Sequence, residues 1–185
     1  IWAAMSLDYA CHDLMQGKLD ALVTNPINKK NIQSDKFNFP GHTEYLTNKF
    51  GVEESLMIMT CHDLHIGIMT NHLSLSQVPK VLDRELILRK LQVMDSSLKR
   101  DFGIRMPKIA VLALNPHAGD RGLIGTEDDS IVAPAIREAF DNGILAFGPY
   151  PADGFFGNGT FREFDGVMAL YHDQGLIPFK LMSFT

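Results

Sequence analysis

The chain has 185 residues, enough for one large domain or one and a fraction. With 45% apolar and 21% charged residues it can bury a core as ordinary globular proteins do. A formal charge of −5 and a pI near 5.8 argue against a nucleic-acid-binding surface, which would need clustered Lys and Arg. No run of about 18 apolar residues marks a transmembrane helix.

Ile1-Trp2-Ala3-Ala4 has no initiator Met, and Met5, Leu7, Ala10 and Leu14 follow a helical pattern from the start. No basic region or small-residue cleavage site accompanies it, so a signal peptide is not expected. At the other end, Phe179 to Thr185 is an apolar stretch without a helix-ending signal. The sequence is therefore expected to be a segment of a longer polypeptide. Cys11 and Cys61 each sit in a Cys-His-Asp triplet with no framework spacing, which sets a reducing, cytoplasmic compartment as the expectation.

Short apolar runs alternate with longer amphipathic stretches. Asp20 to Thr24 is a strand candidate stopped by Asn25-Pro26. Leu56 to Thr60 and Ile66 to Thr70 are two more, separated by the histidine-rich turn Cys61 to His65. From Ser74 to Phe102, Leu82, Leu86, Leu88, Leu91, Met94 and Leu98 trace one apolar face of a helix. Pro107 resets the chain before the strongest strand candidate, Lys108 to Leu114. Glu127 to Asn142 reads as a second amphipathic helix with Gly143 at its C-terminus, and Ile144 to Phe147 and Gly166 to Tyr171 complete the strands. Such alternation predicts an α/β layered fold around a largely parallel sheet, with ligands at the strand ends.

Three strand candidates end in a short polar turn that presents a histidine: Ile66 to His72, Val111 to His117 and Val167 to His172. Three neutral imidazoles suit a divalent metal such as Zn, Co, Ni or Mn and leave positions open for a substrate oxygen. A histidine at a strand end is ordinarily a capping residue, and separations of 45 and 55 residues form no local metal motif. On residue chemistry alone both readings stand. His62 and His65 suggest a weaker second metal site, and His12 is expected on a helix surface. The loop Asn115 to Glu127 has glycines at 119, 122 and 125, a spacing that suits either a phosphate cradle or a plain tight loop, and it is not a Rossmann fingerprint. His42 or Thr43 is placed to cap a helix or to hold an anion at its start. Lys180 is a solvated charge or an anion clamp. Asp173 is expected to serve the helix N-terminus rather than to bond its neighbour His172.

Phe39-Pro40-Gly41-His42-Thr43-Glu44, Leu114-Asn115-Pro116-His117-Ala118-Gly119, Gly125-Thr126-Glu127, Gly148-Pro149-Tyr150-Pro151-Ala152-Asp153 and Tyr171-His172-Asp173-Gln174-Gly175 occur in that order. Together with Asp20 to Lys29 they resemble the 4-hydroxythreonine-4-phosphate dehydrogenase (PdxA) family over essentially the whole chain. The resemblance implies a two-domain α/β/α layered fold related to isocitrate and isopropylmalate dehydrogenases. Residues 1–45 would belong to the first α/β/α domain, and 46–185 would form the second, carrying the metal ligands. His72, His117 and His172 match the ligands of a divalent metal (Zn, Mg, Co, Mn or Ni), one of them supplied across a homodimer. His42, Thr43 and Lys180 match substrate-binding positions, and Asp153 is a candidate proton relay or supporting carboxylate.

The implied reaction is NAD(P)-dependent oxidation of 4-phosphohydroxy-L-threonine with decarboxylation to 3-amino-2-oxopropyl phosphate, a step of pyridoxal 5'-phosphate biosynthesis. The metal would bind the substrate hydroxyl and ease hydride transfer to NAD or NADP, whose binding residues are not assigned. No membrane or nucleic-acid partner is expected. The competing readings are a paralogous dehydrogenase acting on D-threonate or D-erythronate 4-phosphate or on an aromatic dihydrodiol, a metal-dependent phosphatase, and a structural zinc domain. The family's early Gly-Asp-Pro-Ala-Gly-Ile-Gly-Pro-Glu segment, and its substrate-binding Asn and Arg beyond the Lys, are not in this sequence. Asp120-Arg121 replaces the commoner acidic-Gly pair, and Ser74 stands where Pro is frequent.

Overall fold

The computed structural model describes residues 2–28, 31–34, 37–39 and 41–184. Ile1, Lys29, Pro40 and Thr185, to which parts of the motif reading refer, lie outside the described residues. The chain divides into two compact units, Ile1–Ser55 and Leu56–Thr185. Helix α2 (His42–Phe50), whose Tyr45 is a buried anchor of the first unit, runs across the boundary expected after residue 45 and lies whole within that unit.

The first unit pairs α1 (Trp2–Met15) with α2. Ala4, Leu7 and Cys11 on α1 meet Ile32, Phe37 and Tyr45 in one small core. Phe37 stacks on Tyr45 with ring centroids 5.0 Å apart, and Phe39 meets Tyr45 edge-on at 5.5 Å. Asp8 accepts hydrogen bonds from the Tyr45 hydroxyl (3.1 Å) and from Lys49. Burial pushes the Tyr45 phenol up to about 12, with the Asp8 carboxylate adding to the effect. The strand expected at Asp20 to Thr24 does not form. Val23 is 95% exposed, and the only β pairing described in this unit is the isolated Ser34–Phe37 bridge. Strands hold their shape through neighbours, and an apolar run without one stays irregular.

The second unit is a three-layer α/β/α sandwich. Its five strands are β1 (Met57–Cys61), β2 (Leu64–Ile68), β3 (Ile109–Leu112), β4 (Ala146–Tyr150) and β5 (Gly166–Ala169), in spatial order β1-β2-β5-β3-β4. β1 and β2 form an antiparallel hairpin, its turn reduced to His62-Asp63 with His62 at φ 50°. The other pairings are parallel. Both faces of the central strands are buried, as parallel sheets require. Ile109, Val111, Met168 and Leu170 face one helix layer. Ala110, Leu112, Val167 and Ala169 face the other, a strict period of two.

One layer holds α4 (Arg84–Arg100), whose Leu91, Met94 and Leu98 are completely buried, and α5 (Ala133–Asp141). The opposite layer holds α6 (Ala152–Gly157) and α7 (His172–Ser183), represented by Phe155, Leu176 and Phe179. The single helix expected from Ser74 to Phe102 is two: α3 (Val78–Val81) ends before Asp83, which starts α4 by accepting a hydrogen bond from the Leu86 amide at 2.7 Å. Glu127 to Asn142 opens with a π-turn over Asp128–Val132 before α5. Gly143 follows it at φ 86°, with the Gly143 and Ile144 amides returning to Phe140 and Ala139. Among the described residues no helix is long and apolar enough to cross a membrane.

Candidate metal centre and active site

β5 lies between β2 and β3, and all three run parallel. Their C-terminal ends therefore open side by side on one edge of the sheet. His72 follows β2, His172 begins α7 just after β5, and His117 follows β3. The three histidines thus emerge from adjacent strands, about 4.8 Å apart in the hydrogen-bonding direction.

His72 and His172 come together, with ring centroids 5.2 Å apart. Nδ1 of His172 stands 2.7 Å from a carboxylate oxygen of Asp173. This corrects the expectation that adjacency in sequence prevents such a bond; Asp173 sits in the first turn of α7 and also orients His172. With the carboxylate as acceptor, Nδ1 donates, and Nε2 is the ring nitrogen left to face a metal ion. His117 is exposed on the loop after β3. Among the described residues no three His, Cys, Asp or Glu side chains stand together as a set that could hold an ion. Within one chain, two of the expected ligands converge and the third does not join them. Two imidazoles, one of them braced by a carboxylate, fit part of the donor set of a divalent centre.

Buried polar side chains that sequence reading missed tie the strand ends together. Gln174, 8% exposed, donates to the Ala113 carbonyl at 2.6 Å and accepts from the Leu170 amide at 2.7 Å, bridging the ends of β3 and β5. The Thr70 hydroxyl donates to the Leu170 carbonyl at 2.8 Å, bridging β2 and β5. Asp128, completely buried, accepts from the Leu114 and Asn115 amides at 2.7 and 2.9 Å and from the Asn115 side chain at 3.0 Å. Gln174 lies inside the histidine pentapeptide and was within reach of pattern reading. Asp128, in the run Glu127-Asp128-Asp129, looks like any acidic helix start.

The His117 loop is bent to the left. Residues 117 to 122 all have positive φ, among them the non-glycine His117, Ala118, Asp120 and Arg121. Each such residue costs about 1–2 kcal/mol. The hydrogen bonds that Asp128 accepts from Leu114 and Asn115 tie the base of this loop to the buried start of the following helix. The glycine spacing serves this compact turn: a Cβ on Gly119 would lie 2.6 Å from the Gly125 carbonyl oxygen, and one on Gly125 would lie 2.7 Å from the Asn115 amide nitrogen. Asn71, just before His72, is also left-handed at φ 48°, and its side-chain oxygen is buried without a partner among the described residues.

The remaining expected residues lie on several elements. His42 and Thr43 occupy the first turn of α2, in the first unit; neither caps it, because Gly41 is the N-cap and makes no side-chain bond. His42 lines a cavity of about 240 Å³ with Ser6, Leu22 and Asn25 among others. Lys180 is exposed on α7, about 12 Å along the helix axis from His172. Asp153 is exposed in the first turn of α6. His12 is exposed on α1. Cys61, His62 and His65 border a cavity of about 620 Å³ at the β1–β2 turn, but form no metal-holding set among the described residues.

An α/β/α sandwich whose neighbouring parallel strands are each followed by a histidine at the C-terminal end is the form of an α/β enzyme with its site at the sheet edge. The family is shown by comparison: residues 2–185 match the family model of the pyridoxal phosphate biosynthetic protein PdxA, and the chain belongs to that family. It is 47% identical over 96% of its length to a 4-hydroxythreonine-4-phosphate dehydrogenase of Bacteroides thetaiotaomicron, covering 49% of that protein. It is 40% identical over 96% of its length to the corresponding enzyme of a Sulfurihydrogenibium species, covering 55%. Among solved structures, a 4-hydroxythreonine-4-phosphate dehydrogenase from Klebsiella pneumoniae superposes with a TM-score of 0.90 at 35% identity, covering 98% of this chain and 54% of that one. The chain spans about half the length of the curated relatives it matches.

Proposed function

We propose that the protein oxidises 4-phosphohydroxy-L-threonine with NAD or NADP and that the oxidised product loses CO₂ to give 3-amino-2-oxopropyl phosphate. The observation that carries the reading is the His72–His172 pair at the ends of β2 and β5, with His117 leaving the neighbouring strand β3. His72, His117 and His172 would hold a divalent metal, completed across a homodimer, as a Lewis acid toward the substrate oxygens. Asp173 holds His172 in the tautomer with Nε2 free. Gln174 and Thr70 keep the strand ends, and so the two imidazoles, at fixed separation. Lys180 supplies a cation for the phosphate or carboxylate of the substrate. His42 and Thr43, in the first turn of α2, are assigned as substrate-binding residues on the family resemblance. Asp153 is assigned as a supporting carboxylate, and the compartment as the cytoplasm.

Steady-state formation of reduced nicotinamide from 4-phosphohydroxy-L-threonine is the direct test. Activity should disappear on chelation and return with a divalent ion, and His172→Ala should lower kcat at least about 100-fold. Turnover of D-threonate 4-phosphate alone would assign the protein to a paralogous activity. Phosphate release without a nicotinamide requirement would make it a phosphatase.

A further inference from the structure

The completely buried Asp128 carboxylate spends its hydrogen bonds on Leu114 and Asn115, the residues that lead directly into the His117 loop. Asn115 extends the link to Glu127 at 2.9 Å. The carboxylate itself heads the π-turn that feeds α5, and α5 is anchored by the buried Ala135, Ile136 and Ala139 in the same core as α4. The loop then folds back on this point. The Gly122 and Ile124 amides donate to the Gly119 carbonyl, and a Cβ on Gly119 would stand 3.9 Å from the Asp128 carboxylate. A left-handed run through His117, Ala118, Asp120 and Arg121 has no conformational preference of its own to sustain it. Its direction is inherited from whatever grips its base, and that grip is Asp128.

We infer that Asp128 is the positioning residue of the His117 loop: its bonds to Leu114 and Asn115 fix the direction in which His117 is presented, and so the affinity and geometry of the metal centre. The inference rests on the proposed role of His117 as a ligand. Asp128→Asn keeps the shape and one acceptor oxygen but turns an NH₂ group toward donors. The protein is reconstituted with Co²⁺ as wild type, Asp128→Asn, His117→Ala and the double variant. Co²⁺ affinity is read by chelator competition and ligand geometry by the visible ligand-field spectrum.

Folded Asp128→Asn should bind Co²⁺ about 10- to 100-fold more weakly with an altered spectrum. In the His117→Ala background the same substitution should change affinity less than about 2-fold, because the two residues act through one ligand. If His117→Ala weakens binding but Asp128→Asn leaves affinity and spectrum unchanged, or if the two losses add fully, the positioning role is overturned and the ligand assignment stands. If His117→Ala binds Co²⁺ as the wild type does, the ligand assignment itself fails and takes the inference with it. Should Asp128→Asn not fold by circular dichroism, Asp128→Ser carries the test, since it removes the carboxylate that grips the Leu114 and Asn115 amides without turning an NH₂ group toward them. A several-fold loss that vanishes in the His117→Ala background supports the role, and no loss overturns it.

Discussion

At the scale of single residues, chemistry is concentrated in side chains that are braced rather than free. His172 is held through Nδ1 by Asp173 at 2.7 Å. Asp173→Asn keeps the size of that brace but weakens it, and should reduce metal affinity about 10- to 100-fold, measured by competition with a chelator; unchanged affinity would remove Asp173 from the site. His65 is a different case. Burial holds its imidazole below the ordinary histidine range, while Asp63 and Asp165 oppose that shift. The unfolded chain therefore binds this proton more readily than the folded one, so stability is present above the ordinary imidazole range and falls as pH drops below about 6.5. Urea midpoints measured across that interval should decline toward acid in the wild type and decline less in His65→Phe; parallel curves would contradict the assignment. The three strand-end histidines were legible because each follows an apolar run and a short polar turn. Asp128 was not, because a buried acceptor and an exposed helix-start acid look alike in one dimension.

At the scale of elements, helix boundaries depended on local chemistry that periodicity does not report. Leu82 and Leu86 lie on one apolar pattern, yet Asp83 between them caps a new helix through the Leu86 amide. Asp83→Ala should cost about 1 kcal/mol, read from the urea midpoint at unchanged slope. The α7 helix depends on Gly175 in another way: a Cβ there would lie 2.5 Å from the Ile68 side chain and 2.9 Å from Ala169. The absence of a side chain lets α7 lie close on β2 and β5, which keeps His172 near His72. Gly175→Ala should therefore destabilise by about 1–3 kcal/mol and lower metal affinity as well. A stability loss with wild-type affinity would show that the helix can shift without moving the histidine. The strand expected at Asp20 to Thr24 has the right residues, but nothing described in its unit pairs with it. Pairing is a property of neighbours, and a run of residues cannot announce its own.

At the scale of the whole molecule, the fold class was readable because strand and helix patterns alternate through the second unit, and the structure returns them as an α/β/α sandwich. The sheet order β1-β2-β5-β3-β4 was not readable from chain order, yet it is what sets the ends of β2, β5 and β3 beside each other. Two imidazoles meet within one chain and the third stands on a separately braced loop. The proposed centre, completed between two copies, would bring the third imidazole to the other two. The most direct test is a crystal structure of the protein with its divalent ion, located by anomalous scattering. A shared centre predicts one ion with a ring nitrogen of each of His72, His117 and His172 at about 2.0–2.1 Å, the three drawn from two chains. An ion held by other side chains, or one that leaves any of these three imidazoles unbound, would contradict it.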